Sequence, residues 1–270
     1  MMLSSSSAAA RPTPLTIDVW SDVVCPWCYI GKRRLESALE HLNAHRSDLP
    51  DVQIRWRSFQ LDPSAPSAGE AGHGVGVAAH LGAKYGGGLS AGQAMTNQIT
   101  EVAAGEGLDF HLDEAVVGNT VDAHRLLHLA SDLEHEDLED HGGTKLQGLQ
   151  GRVKERFLKA YFVQGLDVSD PDVLRSLALE EGMPTRRVAE VLRSAAYAKE
   201  VHADQAQAQS YGANGVPFTV VDGRYGISGA QPVEAFVGTI ERALADRASQ
   251  LVSVSTGAAG SASACGPDGC

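Results

Sequence analysis

Two cysteines, Cys25 and Cys28, are the residues of this chain best suited by type and spacing to carry chemistry. They follow an apolar run that predicts a strand, and they open a stretch whose pattern predicts a helix. A helix N-terminus stabilises an anion, and therefore the thiolate that attacks in disulfide exchange. Pro26 suits the first helical turn, where a backbone N–H is not needed. The motif thus predicts a dithiol that exchanges a disulfide with a substrate.

The composition describes an ordinary globular chain and excludes several partners. The 270 residues are 43% hydrophobic and 21% charged, with a net charge of −12. This charge argues against nucleic acid or an anionic membrane as a partner, because both require clustered Lys and Arg. We expect no membrane span, since no apolar run is long enough. The Ser- and Ala-rich start lacks the pattern of a secretory signal, which favours a cytoplasmic location.

The four cysteines form two close pairs, Cys25 with Cys28 and Cys265 with Cys270. A cytosolic compartment keeps most thiols reduced, so structural disulfides are not expected. Redox chemistry and metal binding are therefore the two uses that the cysteine count leaves open.

The elements around the first pair predict a βαβ unit. Alternation predicts strands over Leu15–Trp20 and Val52–Phe59, and the residues from Pro26 to about His45 have helical spacing. Strand, helix and strand within about 45 residues imply that the two strands pair in parallel.

A mainly helical segment follows, and strand character returns only at Val216–Val221 and Tyr225–Ser228, before a helix over Val233–Arg247. The order is therefore βαβ, a helical block, then ββα. The predicted organisation is a disordered tail at 1–14, a thioredoxin-like domain at 15–60 plus 200–248, a linker and helical insertion domain at 61–199, and a flexible tail at 249–270.

Several segments resemble a known family. Strand, CPxC, helix, a long helical insertion and then Gly215-Val216-Pro217-Phe218 are similar to the DsbA-like branch of the thioredoxin superfamily. Asp22–Cys28, Asn119–Leu126 and Ala160-Tyr161-Phe162 resemble its FrnE-type subgroup, which is related to 2-hydroxychromene-2-carboxylate isomerase. The resemblance covers residues 15–247 and implies an α/β, thioredoxin-like fold with a large α-helical insertion domain.

The resemblance also implies a substrate-binding site around the cysteines. It makes Val216–Pro217 a cis peptide bond, although trans is the usual form of an X–Pro bond. The backbone of Val216 would then pair with an extended substrate segment. Pro26 and Trp27 lie within the motif itself, and the resemblance places Asn119 and His124 on the insertion, facing the active-site groove.

Asp18 has two interpretations. Thioredoxin-like proteins often carry a buried acid behind the second cysteine, and Asp18 resembles that acid in its Asp-x-Trp context. A buried carboxylate there would accept a proton from the Cys28 thiol. Alternatively, Asp18 is a strand-end residue whose side chain reaches water.

The function that follows is thiol–disulfide exchange with protein substrates, with Cys25 as the nucleophile and Cys28 as the resolving thiol. Disulfide isomerase or chaperone activity is compatible with it. Trp27 cannot become a cation, so we do not expect a strong oxidant. Recycling would use glutathione or a thioredoxin-type reductant, with no cofactor and no bound metal. The oligomeric state is left open.

The terminal pair, Cys265 and Cys270, predicts an auxiliary dithiol. The spacer Gly-Pro-Asp-Gly forms turns and would let the two sulfurs meet. About 19 residues of flexible tail span roughly 25 Å, comparable with a domain radius, so the pair could exchange with Cys25–Cys28. Incidental terminal thiols are the alternative.

Three other functions stay open. A glutathione-dependent isomerase or kappa-class transferase uses a lone Ser or Cys at the position of Cys25, and would not need Cys28. A zinc site would use all four cysteines. A chaperone would bind unfolded chains through an apolar groove.

Overall fold

The computed structural model describes residues 13–141 and 148–249. The terminal Cys265 and Cys270, and with them the predicted auxiliary dithiol, lie outside the described residues. Most of the predicted N-terminal tail lies outside them as well.

One mixed sheet of four strands carries the fold, in the order β2-β1-β3-β4. The strands are β1 (Leu15–Ser21), β2 (Val52–Ser58), β3 (Phe218–Val221) and β4 (Tyr225–Ser228). β1 pairs with β2 in parallel, which confirms the predicted βαβ unit, and the two other pairings are antiparallel.

Nine helices are present in the described part of the chain. They are α1 (Pro26–His45), α2 (Val77–Tyr85), α3 (Gly88–Gly105), α4 (Val121–His141), α5 (Leu149–Gln164), α6 (Pro171–Glu180), α7 (Thr185–Arg193), α8 (Ala198–Ser210) and α9 (Val233–Ser249). Six of them, α2 to α7, lie between β2 and α8 along the chain.

The two faces of the sheet have different cores, because successive side chains of a strand point to opposite faces. Leu15, Ile17 and Val19 of β1 belong to the apolar cluster built with α1 and α9. Trp20 belongs to a cluster on the other face that includes Ala208 of α8. The active-site helix α1 therefore packs on the face opposite to α8.

The helices α2 and α3 form a hairpin whose backbones are in close contact. A Cβ atom at Gly92 would lie 1.8 Å from the carbonyl oxygen of Ala78, and one at Gly82 would lie 2.0 Å from that of Gly88. Only glycine permits this approach. The helices α4 to α7 form a separate apolar core with residues of α1, including Tyr29 and Ile30.

The mixed sheet with a helical block between β2 and β3 is a thioredoxin-like fold with a helical insertion, which confirms the predicted fold class. The domain boundaries at 61 and 199 stay predictions. Within the described residues, no helix combines the length and apolar character needed to cross a membrane.

Candidate active site

Cys25 is the N-cap residue of α1, with an extended backbone (φ −90°, ψ 114°) and Pro26 in the first turn. The backbone N–H of Cys28 donates to the Cys25 carbonyl oxygen at 3.0 Å. Both cysteines are free thiols. The sequence motif thus folds into the predicted arrangement, with the first sulfur at the positive end of the helix.

The loop before β3 lies against Cys25. The Cys25 thiol donates to the Val216 carbonyl oxygen over 3.6 Å. The Val216–Pro217 bond is cis, as the family resemblance implies. Gly31 of α1 lets this loop approach, since a Cβ atom there would lie only 3.0 Å from Cγ of Pro217.

A cavity of about 510 Å³ opens beside Cys25. The described residues that line it come from the segment at 22–27 with the start of the CPWC motif, the cis-proline loop, the α2–α3 hairpin, the loops at 61–65 and 112–120, and Tyr161 of α5. Its walls are largely apolar, and include Val24, Trp27, Leu61, Val77, Leu81, Met95, Ile99, Leu112, Val117, Tyr161 and Val216. Such a volume is within the range of ligand sites.

Cys28 lies on the inner side of the motif and is 2% exposed. Burial, which disfavours an anion, raises the pKa of the Cys28 thiol well above its ordinary value, and the neighbouring Cys25 raises it further. The positive charge of Lys154 acts in the opposite direction. Cys28 is therefore protonated at neutral pH and needs a group that removes its proton.

Lys154 of α5 is the nearby cation, and the sequence interpretation missed it. It is 1% exposed, and its Nζ donates to the Ser21 carbonyl oxygen at 3.4 Å. Burial lowers the pKa of Lys154 to about 8, against the opposing charges of Cys28 and Asp22. A signal exists, because the helical spacing of Phe157 and its apolar neighbours places Lys154 on the buried face of α5.

Asp22 and His124 lie with Lys154 in a buried polar cluster near Cys28. The Asp22 carboxylate accepts from the backbone N–H groups of Val23 (2.7 Å) and Leu61 (2.8 Å), and from Nε2 of His124 (3.2 Å). Burial raises the pKa of Asp22, but these bonds and the charge of Lys154 outweigh burial and lower it. Asp22 is thus a buried anion that accepts three hydrogen bonds from protein groups. Burial lowers the pKa of His124.

Asp18 lies on the other face of the sheet. Because Ile17 and Val19 face α1, the alternation along β1 directs Asp18 toward α8 with Trp20. Its carboxylate accepts from Nε of Arg57 at 2.8 Å, and its side chain is 15% exposed. This setting favours the interpretation of Asp18 as a solvent-reaching strand residue, and its role as the proton acceptor stays a prediction.

Asn119 and His124 lie beside the site, but both are engaged with protein groups. The Asn119 side chain donates to the carbonyl oxygens of Pro63 and Ala65, and accepts from the Val121 N–H at the start of α4. It thereby fixes the loop that forms one cavity wall. His124 is completely buried, which argues against direct contact with substrate.

An ion-pair cluster attaches α5 to the active-site helix. Glu155 accepts from the Tyr29 hydroxyl at 2.5 Å and pairs with Lys32 at 2.7 Å, and it also binds Arg33. Since Glu155 is adjacent to Lys154 in the chain, the cluster fixes the part of α5 that lies beneath Cys28.

The described residues contain no group of three or more His, Cys, Asp or Glu side chains arranged to hold a metal ion. The zinc hypothesis also needs Cys265 and Cys270, which lie outside the described residues, so it is untested.

Comparison with known proteins identifies the family of this chain. A family model described as a DSBA-like thioredoxin domain matches residues 16–241. A probable DsbA oxidoreductase from Streptomyces coelicolor is 36% identical, with a TM-score of 0.72, and the match covers 95% of this chain and 98% of that chain. An uncharacterized Bacillus subtilis protein, YwbO, is 40% identical over 48 residues, which is 18% of this chain and 20% of its own length.

Two more distant structures share the fold. A 2-hydroxychromene-2-carboxylate isomerase has a TM-score of 0.57 at 14% identity, over 87% of this chain and 98% of that chain. The cytosolic disulfide reductase DsbM from Pseudomonas aeruginosa, in a structure with glutathione, has a TM-score of 0.52 at 18% identity, with the same coverage. With the family model matching most of its length, this chain belongs to the DsbA-like thioredoxin family.

Proposed function

We propose that this protein is a thiol–disulfide oxidoreductase that exchanges disulfides with protein thiols through Cys25 and Cys28. One observation carries the proposal: Cys25, although only 3% exposed, lines the cavity beside the cis-proline loop, whereas Cys28 is 2% exposed, does not line the cavity and interacts with the charge of buried Lys154. This difference supports Cys25 as the thiol that meets a substrate and Cys28 as the thiol that resolves the intermediate.

In the oxidising direction, a substrate thiolate attacks Cys25 in the Cys25–Cys28 disulfide. A bond forms between the substrate sulfur and Cys25, and Cys28 leaves as a thiolate that takes a proton from the Lys154 ammonium. A second substrate thiolate then attacks the substrate sulfur. The substrate disulfide forms, and Cys25 leaves as a thiolate.

In the reducing direction, the Cys25 thiolate attacks a substrate disulfide, and one substrate sulfur leaves as a thiolate. The neutral amine of Lys154 then accepts the proton of Cys28. The Cys28 thiolate attacks Cys25, so that the Cys25–Cys28 bond forms and the second substrate thiolate leaves. With a pKa of about 8, roughly one Lys154 in ten is neutral at pH 7 and ready to accept this proton.

Two single variants test the exchange reaction. In an insulin reduction assay, Cys25→Ser should lose activity completely, because no nucleophile is left. Cys28→Ser should attack substrate but fail to resolve, and mass spectrometry should detect a covalent adduct at Cys25. Undiminished activity of Cys25→Ser would overturn the proposal.

We propose in addition that Cys265 and Cys270 form an auxiliary dithiol that exchanges with the active-site pair, and that the protein works in the cytoplasm with glutathione or a thioredoxin-type reductant. A double Cys265→Ser, Cys270→Ser variant should show slower recycling of oxidised Cys25–Cys28. Unchanged turnover and an unchanged active-site redox state would rule the auxiliary role out.

The cavity gives some support to a second candidate, a glutathione-dependent isomerase or transferase. Its volume suits a small molecule, and the DsbM structure of the same fold contains glutathione. The candidates differ in their need for Cys28. A glutathione-dependent conversion that survives in Cys28→Ser would favour the second, and loss of every activity in that variant would favour disulfide exchange.

A further inference from the structure

Two basic side chains of α2 line the cavity beside Cys25. His80 and Lys84 are four residues apart, so they lie on the same face of the helix, one turn from each other. Lys84 is exposed and His80 is half-buried, which places both near the opening of the cavity to solvent. The Lys84 ammonium lies 5.7 Å from the centroid of the Tyr85 ring. Neither basic side chain forms a hydrogen bond or an ion pair with another described residue, so their donor groups are available to a ligand.

The acidic groups at the cavity are already engaged with other donors. Among the described lining residues, the acids are Asp22 and Asp62. The Asp22 carboxylate is buried and accepts three hydrogen bonds from protein groups. Asp62 accepts from the Ser64 hydroxyl at 2.6 Å and from the Ser64 backbone N–H at 3.0 Å. These two bonds lower the pKa of Asp62, and the charges of Lys84 and His80 lower it further without forming an ion pair.

The basic pair favours an anionic partner. A carboxylate at the opening would accept a charge-assisted hydrogen bond from the ammonium of Lys84. It would accept another from an N–H of His80, which the imidazole ring offers in both its charged and its neutral form. The net charge of −12 disfavours acidic ligands over most of the remaining surface. A substrate carboxylate is therefore stabilised at this opening in particular.

We propose that His80 and Lys84 select protein substrates that carry an aspartate or glutamate close to the reacting cysteine. The inference rests on the proposed disulfide exchange at Cys25, which lines the same cavity. A sphere of about 510 Å³ is about 10 Å across, and an extended chain advances about 3.3 Å per residue. The selected carboxylate therefore lies within about three residues of the substrate cysteine.

A set of peptide disulfides tests the selectivity. Each test peptide has one cysteine, joined by a disulfide to the same neutral fluorescent reporter, and carries Glu, Gln or Lys at the positions two and three residues from that cysteine. Dithiothreitol recycles the full-length enzyme, and the same assay with Cys25→Ser gives the background. Each Cys25-dependent rate is divided by the rate with dithiothreitol alone, because the peptide charges also change the reactivity of the disulfide itself.

The three peptides should differ in the order of their charges. We expect kcat/KM for the Glu peptide to exceed that for the Gln peptide by about 3- to 10-fold at low salt, as for two exposed ion pairs. The Lys peptide should react more slowly than the Gln peptide, because Lys84 repels it. These differences should shrink in about 0.5 M NaCl, which screens interactions between exposed charges.

Charge variants of α2 test whether the selectivity belongs to the basic pair. Lys84→Gln and His80→Gln should each lower the preference for the Glu peptide over the Gln peptide by about two-fold, because each removes one of the two partners. Lys84→Glu should reverse the order of the Glu and Lys peptides. Lys199→Gln removes an exposed lysine of α8 that does not line the cavity, and it should leave the preference unchanged.

The outcomes separate the two proposals. If Cys25→Ser reduces every peptide as fast as the unmodified protein does, the proposed function fails. If exchange depends on Cys25 but the three peptides have equal kcat/KM, or if the preference for Glu survives in Lys84→Glu, only the inference about the basic pair fails. Glutathione disulfide reacting faster than the Glu peptide, with a rate that falls in Lys84→Gln, would assign the pair to a small thiol and would also overturn the inference.

Discussion

The two cysteines of the motif are three residues apart in sequence, yet their surroundings differ in chemistry. Cys25 faces an apolar cavity, with the cis-proline loop on one side and the α2–α3 hairpin on the other. Cys28 interacts with the charge of Lys154, which in turn interacts with the charges of Cys28 and of the buried carboxylate of Asp22. In the proposed reaction, the outer thiol, Cys25, meets another molecule, and the inner thiol, Cys28, exchanges a proton with Lys154.

The helical insertion contributes to the surroundings of both cysteines. Helix α1 provides both cysteines, but the insertion provides the cavity wall through α2 and α3, and the buried cation through α5. Under the proposed function, the insertion therefore contributes to substrate binding at Cys25 and to proton transfer at Cys28. Each contribution can be removed separately.

Replacing the buried cation should have the largest effect on rate. Reduced enzyme treated with a thionitrobenzoate disulfide releases one coloured anion when Cys25 attacks and a second when Cys28 resolves the adduct. Lys154→Met should slow the second phase by about 100-fold near pH 8, as for loss of a general base. Lys159→Met removes an exposed lysine from the same helix and should not slow it.

The pH profile identifies the cause of that loss. In the unmodified protein, the second phase should accelerate as pH rises and level off above about 8, where Lys154 becomes neutral. In Lys154→Met this plateau should disappear, and the rate should continue to rise with pH because the pKa of Cys28 is raised. A plateau near pH 8 that survives in the variant would exclude Lys154 as the proton acceptor.

The same substitution should stabilise the fold. The pKa of Lys154 falls from 10.5 to about 8 on folding, so the unfolded chain binds more protons between these values. The free energy of unfolding therefore rises with pH across this range, and the full cost of burying the cation applies below pH 8. Urea unfolding at pH 7 should show Lys154→Met more stable by up to roughly 3 kcal/mol. The gain should shrink toward pH 10, and a destabilised variant at pH 7 would contradict the assignment.

Weakening the ion-pair cluster that attaches α5 to α1 should have a smaller effect on the rate of the second phase. Glu155→Gln loses a charge that binds Tyr29, Lys32 and Arg33, and should lower the free energy of unfolding by about 1–3 kcal/mol. If Glu155 positions Lys154, the second phase should slow only a few-fold and should keep its plateau near pH 8. Glu36→Gln, in the same ion-pair cluster but on α1, should destabilise without slowing this phase.

The surroundings of Cys25 could be predicted in part from the sequence, because the residues that form them lie in short local motifs. The CPWC motif lies directly between a strand and a helix, and the family resemblance implied the cis bond at Pro217. The wall of the cavity was harder to predict. Helix α2 (Val77–Tyr85) is hard to recognise within the insertion, because it is short and its contact with α3 depends on Gly82, a residue that weakens a helix when it is considered in isolation.

The surroundings of Cys28 could not be predicted in this way, because they depend on contacts between residues far apart in the sequence. Lys154 is more than a hundred residues from Cys28 in sequence, and a lysine within a helix is usually assigned to the surface. Asp22 belongs to the motif used for the family resemblance, but its role emerges only when His124 and Leu61 bind it. Helix α4 begins only at Val121, since 113–120 form a loop along the cavity.

Asp18→Asn should have the smallest effect, and it tests the comparison between the two faces of β1. The Asp18–Arg57 pair is partly exposed, so its loss should change the free energy of unfolding by less than about 1 kcal/mol. The resolving phase should keep its rate and its plateau near pH 8, because Asp18 points toward α8 and not toward Cys28. A variant that slowed this phase as strongly as Lys154→Met would restore Asp18 as the proton acceptor. Such a result would mean that Asp18 acts on Cys28 even though the alternation along β1 directs its side chain to the opposite face of the sheet.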